Sequence, residues 1–248
     1  MTKQEMLLAK ALGLVAFASL WAFASSWVGD YWVPGMGQVA GRIWTELLAG
    51  RLFADLAATS QLLLTGTSIG SVCGCAVACM LRLAPRLDML MQPFITAVMS
   101  IPKLGLVPLL VLWFGTGWVP KVMLVALTVL FIVFSLTYAG LATVNARLVM
   151  TARVLGASSF QLTRHVVVPS VLPFIFTGLQ VALPWAVSAA LVAEYLAAKE
   201  GIGHGIEEAR QLSDSVGVYY GIVLATVLVL LCNGVLAFVR KLAIKVQP

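Results

Sequence analysis

The chain has 248 residues, of which 61% are hydrophobic and 10% charged, with a net charge of +6 and a mean hydropathy of +1.00. Soluble domains carry about 25% charged residues, so the composition excludes an ordinary soluble domain and points to one membrane domain spanning 1–248. The excess Lys and Arg sits at the ends of apolar runs, with no basic stretch mixed with aromatics; this speaks against nucleic acid and for the positive-inside pattern of a membrane protein.

Runs free of Asp, Glu, Lys and Arg predict six spans, at 8–29, 57–81, 87–107, 121–143, 169–193 and 217–239, since a spanning helix needs roughly 20 mainly apolar residues. The first follows a basic start, Lys3 and Lys10. Its apolar stretch exceeds the ~7–15 residues of a cleaved signal, so a retained helix is expected. Trp27, Tyr31 and Trp32 close it like an aromatic belt. Residues 42–55 are amphipathic and predict a short helix on the outer surface, either resting on lipid or facing a partner.

The second span carries Gly66, Gly70, Gly74 and Ala78 at four-residue spacing. Such a stripe lets helix backbones approach closely in lipid, within one subunit or between two. Cys73, Cys75 and Cys79 lie in the same run and Cys232 in the last; their spacing is not that of a zinc site, and they read as small packing residues. The third span is irregular. Ser100-Ile101-Pro102-Lys103 interrupts it and Pro108 follows. Two arrangements fit: a broken helix lining a translocation path, or a span ending near 101 with 102–118 as an outer loop.

Between the fourth and fifth spans lies a more polar insert, 146–168. Ala152 and Gly156 predict a small helical face ended by a glycine turn. Ser158 or Ser159 then caps a second short helix running to about Val167, and Pro169 begins the fifth span. Beyond it, 194–214 is an outer segment holding Glu194, Glu200, Glu207, Glu208 and Asp214 against Lys199 and Arg210. Its Gly201-Ile202-Gly203-His204-Gly205 stretch reads as a hinge-like turn. Inner segments carry Lys3 and Lys10; Arg82 and Arg86; Arg147, Arg153 and Arg164; and Arg240, Lys241 and Lys245. This bias orients both termini to the cytosol. No catalytic or phosphate-loop motif occurs, so no enzymatic role is expected, and any ATP hydrolysis must come from another chain. Ser100, Pro102, Lys103, Gln180 and Ser188 are the candidate pathway residues, with Lys103 placed near the outer mouth.

The insert resembles the cytoplasmic signature of permease subunits of bacterial ATP-binding-cassette importers, Glu-Ala-Ala, three residues, Gly, about nine residues, Ile-x-Leu-Pro. Ala152 and Gly156 match, and Val166, Val168 and Pro169 match conservatively. Met150 and Thr151 depart, standing where the family has Glu and Ala, which removes one polar contact to the ATPase. The stretch Ile101-Pro102-Lys103 through Trp113-Phe114-Gly115, then Ala193-Glu194 and Gly201-Ile202-Gly203, is similar to the nitrate, sulfonate and taurine branch.

The resemblance implies an all-α integral membrane protein of six transmembrane helices, like type I importers, with a cytoplasmic coupling helix. Coupling falls on Met150, Thr151, Ala152 and Gly156, then Ala157, Ser158, Phe160, Arg164 and Pro169. The implied partners are two ATPase copies that bind ATP and magnesium, a periplasmic or lipid-anchored binding protein, and a second permease copy, in the bacterial inner membrane. This chain itself is expected to bind no cofactor or metal. The implied solute is small and anionic or zwitterionic, sulfonate-, taurine- or nitrate-like. A thiamine precursor or aromatic acid is the alternative, and an ion-gradient carrier or channel the second.

Overall fold

The computed structural model describes residues 3–197 and 199–245, and these are helical almost throughout. The side chains of Lys3 and Lys245, counted among the inner charges, lie outside the described residues. The chain runs through α1 (Lys3–Val28), α2 (Met36–Leu48), α3 (Arg51–Leu83) and α4 (Pro85–Met99). A single 3-10 turn, Lys103–Leu106, leads into α5 (Val107–Phe114), followed by α6 (Trp118–Ala142), α7 (Ala146–Val154) and α8 (Ser159–Leu162). A π turn over Thr163–Val167 joins α8 to α9 (Val168–Ala197), and α10 (Ile202–Gln211) and α11 (Ser215–Lys245) complete the fold. Among the described residues, five helices are long and apolar enough to cross a bilayer, and six if the bent pair α4–α5 counts as one.

The core is the bundle of α3, α6 and α9. Ideal Cβ atoms on Gly66, Gly70 and Gly74 would fall 2.6 Å from Val125 Cβ, 2.4 Å from the Ala126 carbonyl oxygen and 2.7 Å from the Leu130 carbonyl oxygen. The stripe is therefore a backbone-on-backbone seam with α6 of the same subunit. Contacts advance together along both helices, so α3 and α6 run parallel. From α9, Gly178 lies on Val133 and Phe174 on Gly140, so α9 runs antiparallel to both. Its Ala182, Ala186, Ala189, Ala190 and Ala193 are all 2% exposed or less. With lipid as apolar as Leu, such small side chains favour association because close approach maximises dispersion contacts. Cys75 meets Thr137 at 3.6 Å, while Cys73 and Cys79 face outward.

Trp21 of α1 packs on Tyr219 of α11, and the Ser215 hydroxyl approaches the Asp30 carbonyl at 3.5 Å. These two helices are thus antiparallel, which puts the start of α1 and the end of α11 on the side of the bundle where α3 ends and α9 begins.

Three boundaries differ from the sequence expectation. The amphipathic stretch 42–55 is not one helix: Gly50, at φ +77°, separates α2 from α3, and the second span starts at Arg51 rather than 57. The third span is broken, as one of its two expected arrangements has it, and bends by 80° between Met99 and Lys103. The helix that carries the fifth span starts at Ser159 rather than 169, because the π turn lets it continue through Pro169. Proline has no N–H and its ring crowds the carbonyl four residues back; a π turn widens the helix just before that point. Finally, 201–205 is not a loose turn but the start of α10.

Candidate functional site

Two regions gather the predicted site residues, and the first is the break between α4 and α5. The N–H of Ser100 turns back to the carbonyls of Thr96 and Ala97, and that of Ile101 to Val98. Pro102 has no N–H to continue the ladder. The chain restarts when Gly105 donates to the Pro102 carbonyl at 2.9 Å. The Lys103 ammonium donates to the carbonyl of Met99 at 2.9 Å and lies 5.3 Å from the centre of the Phe131 ring. A cavity of about 430 Å³ opens beside it, lined by Pro102, Lys103, Thr128, Ile132 and Trp185 together with Ile101 and Leu104.

Phe131 is the fourteenth residue of the 25-residue α6. At 1.5 Å per residue it lies about 20 Å along that helix, so Lys103 sits near mid-depth and not at the outer mouth expected for it. Ser188 lies three residues beyond Trp185 on an exposed face of α9 and donates to the Pro184 carbonyl at 3.0 Å. Ser100 donates to the Thr96 carbonyl at 2.9 Å. Gln180 is elsewhere: its Oε1 accepts from the Arg240 guanidinium at 3.0 Å, which ties α9 to α11, and it does not line this cavity.

The second region is the corner from α7 to α9. The side chain of Asn145 accepts from the Arg147 N–H at 2.9 Å and caps α7. Gly156 has φ +83°, a backbone region open to glycine at little cost. Its N–H reaches the Arg153 carbonyl, and the Ala157 N–H reaches that of Ala152, both at 3.0 Å. This pair of bonds is a Schellman ending, and it explains the Ala152–Gly156 spacing. Ser158 then forms a capping box: the Gln161 N–H reaches Ser158 Oγ at 3.3 Å, and the Ser158 N–H reaches Gln161 Oε1 at 2.8 Å. Both sides of the corner are fixed locally, yet Met150, Val154, Leu155 and Phe160 are 70–86% exposed. Thr151, Ala157, Arg164 and Pro169 lie on the same short stretch of backbone.

A third cluster escaped sequence reading. Glu194, assigned there to an outer loop, is 2% exposed at the end of α9. Its Oε2 accepts from Thr59 at 3.0 Å and from the Gly203 N–H at 2.9 Å. Thr59 Oγ1 accepts from the Ile202 N–H at 3.0 Å, and Asp55 from the Gly201 N–H at 3.1 Å. The N-terminal N–H groups of α10 have no intrahelical partner; here α3 and α9 satisfy three N–H groups at this end. A Cβ on Gly201 would lie 2.6 Å from the Glu194 carboxylate, and one on Gly203 would press on the Leu191 carbonyl. Glycine is required at both. The available signal was a lone carboxylate followed by Gly-x-Gly, the spacing at which a span end can cap the next helix.

Nearby, Glu46 is clasped by Arg42 and Arg51, each at 2.9 Å, and Arg42 reaches Asp214 at 3.5 Å. On α10, bidentate bonds from Arg210 at 2.7 Å and one from Gln211 hold the Glu207 carboxyl down at about 2.

Residues 66–245 match the family model described as the binding-protein-dependent transport system inner membrane component. SsuC of Escherichia coli (strain K12), a permease protein named for aliphatic sulfonates transport, is 31% identical over 94% of this chain and 90% of its own. The formylaminopyrimidine transport permease protein ThiX of Halalkalibacterium halodurans is 30% identical over 90% of this chain and 88% of its own. Among solved structures, the inward-facing MetNI methionine ABC transporter aligns with a TM-score of 0.64 at 17% identity, over 78% of this chain and 94% of that one.

Proposed function

This chain belongs to the family of binding-protein-dependent transport inner membrane components, and from that premise we propose how it couples to its partners and what it carries. It is the membrane-embedded permease subunit of an ATP-driven importer for a small solute, and ATP is hydrolysed on a separate chain. Permeases of this family work with an ATPase and a solute-binding protein.

The corner of α7 and α8 docks into the ATPase. The observation that carries this is four exposed large apolar side chains on a corner fixed by a Schellman ending and a capping box. Apolar side chains clustered on a polar, Arg-bearing segment are costly in water and are the usual mark of a protein contact. Met150 here replaces the polar contact of the family signature with an apolar one. Arg147, Arg153 and Arg164 orient the corner, and with it both termini, to the cytosol.

ATP and magnesium are held by two ATPase copies. A second copy of this chain completes the pathway, covering α4, which buries none of its residues and exposes Met89, Leu90 and Phe94. The solute is anionic or zwitterionic, of the sulfonate kind. A thiamine precursor or aromatic acid is the second reading, and the observation on its side is the likeness to ThiX, a permease named for formylaminopyrimidine rather than sulfonate transport. An ion-gradient carrier has less support, because the buried Glu194 carboxylate serves as a helix cap.

The test is co-purification of the ATPase with wild-type, Gly156→Asp and Phe160→Glu chains, alongside solute uptake in vesicles. Both variants are expected to elute as folded permease and to lose the ATPase and uptake together. A Gly156→Asp chain that keeps both would refute docking at this corner.

A further inference from the structure

A lysine at the break of a membrane span needs a reason, since a charged side chain far from the interfaces is costly in lipid. Lys103 begins the turn at the break between α4 and α5, and its ammonium lies beside Phe131 in the middle of α6. Among the described residues, no ion pair reaches it. Its ammonium is held by a carbonyl at the end of α4 and by an aromatic face. These fix its position without neutralising its charge. One of its three N–H donors is used by Met99, and two remain.

The adjoining cavity fits a particular kind of molecule. Its volume of about 430 Å³ lies in the range of small-molecule sites. Beyond Lys103 its walls are mostly apolar: Pro102, Ile132 and the indole of Trp185, which is 58% exposed. The one hydroxyl there, on Thr128, already donates to the Leu124 carbonyl at 2.8 Å. The site thus offers one uncompensated positive charge and an apolar bed.

We propose that Lys103 binds the anionic group, sulfonate or carboxylate, of a small organic solute midway across the membrane, with the solute's apolar body against Trp185 and Ile132. The inference rests on the permease reading above and names the chemistry of its pathway. The break at Pro102 is what delivers the ammonium there: an unbroken helix would carry its own carbonyls inward and leave Met99's carbonyl bonded.

The test uses the permease with its ATPase in lipid nanodiscs and 19F NMR line broadening. The probes are 4-fluorobenzenesulfonate, 4-fluorobenzoate and the neutral 4-fluorobenzenesulfonamide. Wild type is expected to broaden at least one anion and not the sulfonamide, and the anion it prefers separates sulfonate from carboxylate. Lys103→Met should weaken that binding at least about tenfold, the scale of one charge-assisted hydrogen bond, while Lys103→Arg keeps it within about threefold. Equal binding of the sulfonamide, no binding of either anion by wild type, or an unchanged Lys103→Met chain would each overturn the proposal. ATPase co-purification, read in the same samples, separates the two ideas: a complex that assembles but ignores the anions refutes the subsite alone, and one that never assembles refutes the permease coupling.

Discussion

Gly70→Ala adds one methyl group at the tightest point of the α3–α6 seam. Its Cβ would sit 2.4 Å from the Ala126 carbonyl oxygen, 2.9 Å from Val129 Cβ and 3.1 Å from Ala126 Cα. Ordinary contact begins near 3.4 Å, so the helices must part by about 1 Å, and the nearest neighbour is backbone that has no rotamer to escape into. Overpacking of this kind costs about 1–3 kcal/mol, offset by up to about 1 kcal/mol because Ala is a better helix former than Gly. Gly234 supplies the control: it lies within α11, and a Cβ there meets nothing within 4 Å. Gly234→Ala should therefore show only the helix gain. The difference between the two variants isolates the contact at about 1–3 kcal/mol. At about 2–4 °C per kcal/mol for a chain of this length, Gly70→Ala should melt about 2–12 °C below Gly234→Ala in thermal unfolding followed by size-exclusion of the nanodisc-embedded chain. Equal melting temperatures, or a more stable Gly70→Ala, would refute the seam.

Glu194→Ala leaves the Gly203 N–H and the Thr59 hydroxyl without their acceptor and should destabilise by about 1–3 kcal/mol per orphaned group; Thr59→Val should cost less, and hydrogen exchange at the start of α10 should rise in both. The Glu207–Arg210 clasp carries a pH signature. Because the folded carboxyl is depressed to about 2, its contribution is fully present above about pH 4.5 and is lost as pH falls through about 2, and a 13C titration of Glu207 should show this low midpoint, with Arg210→Ala returning it toward 4.5.

What could be read from sequence followed from local rules. The long apolar runs, the Gly66–Gly70–Gly74 stripe and the Ser158 cap each depend on neighbours within a few turns of helix. What escaped depended on partners far along the chain. The stretch from Gly201 to Gly205 is a poor helix by propensity, and it becomes one because Asp55, Thr59 and Glu194, up to 146 residues away, receive its N–H groups. The place of Lys103 differs from the expected outer mouth for a related reason: counting along a span assumes a straight helix, and the bend after Met99 brings the residue alongside the middle of α6. Gly50 hid its turn inside a sequence whose amphipathic pattern runs on unbroken.

The helix from Ser159 to Leu196 is one rod of 38 residues, about 57 Å long at 1.5 Å per residue. The corner, the wall of the Lys103 cavity and the cap of α10 are all bolted to it. Pivoted near its centre, it acts as a lever arm on which a 10° tilt carries each end about 5 Å in opposite directions. Its weak points are the π turn, where the helix is widened, and Pro173 and Pro184, each of which removes one backbone hydrogen bond. Those three joints decide how much of a displacement at one membrane face arrives at the other.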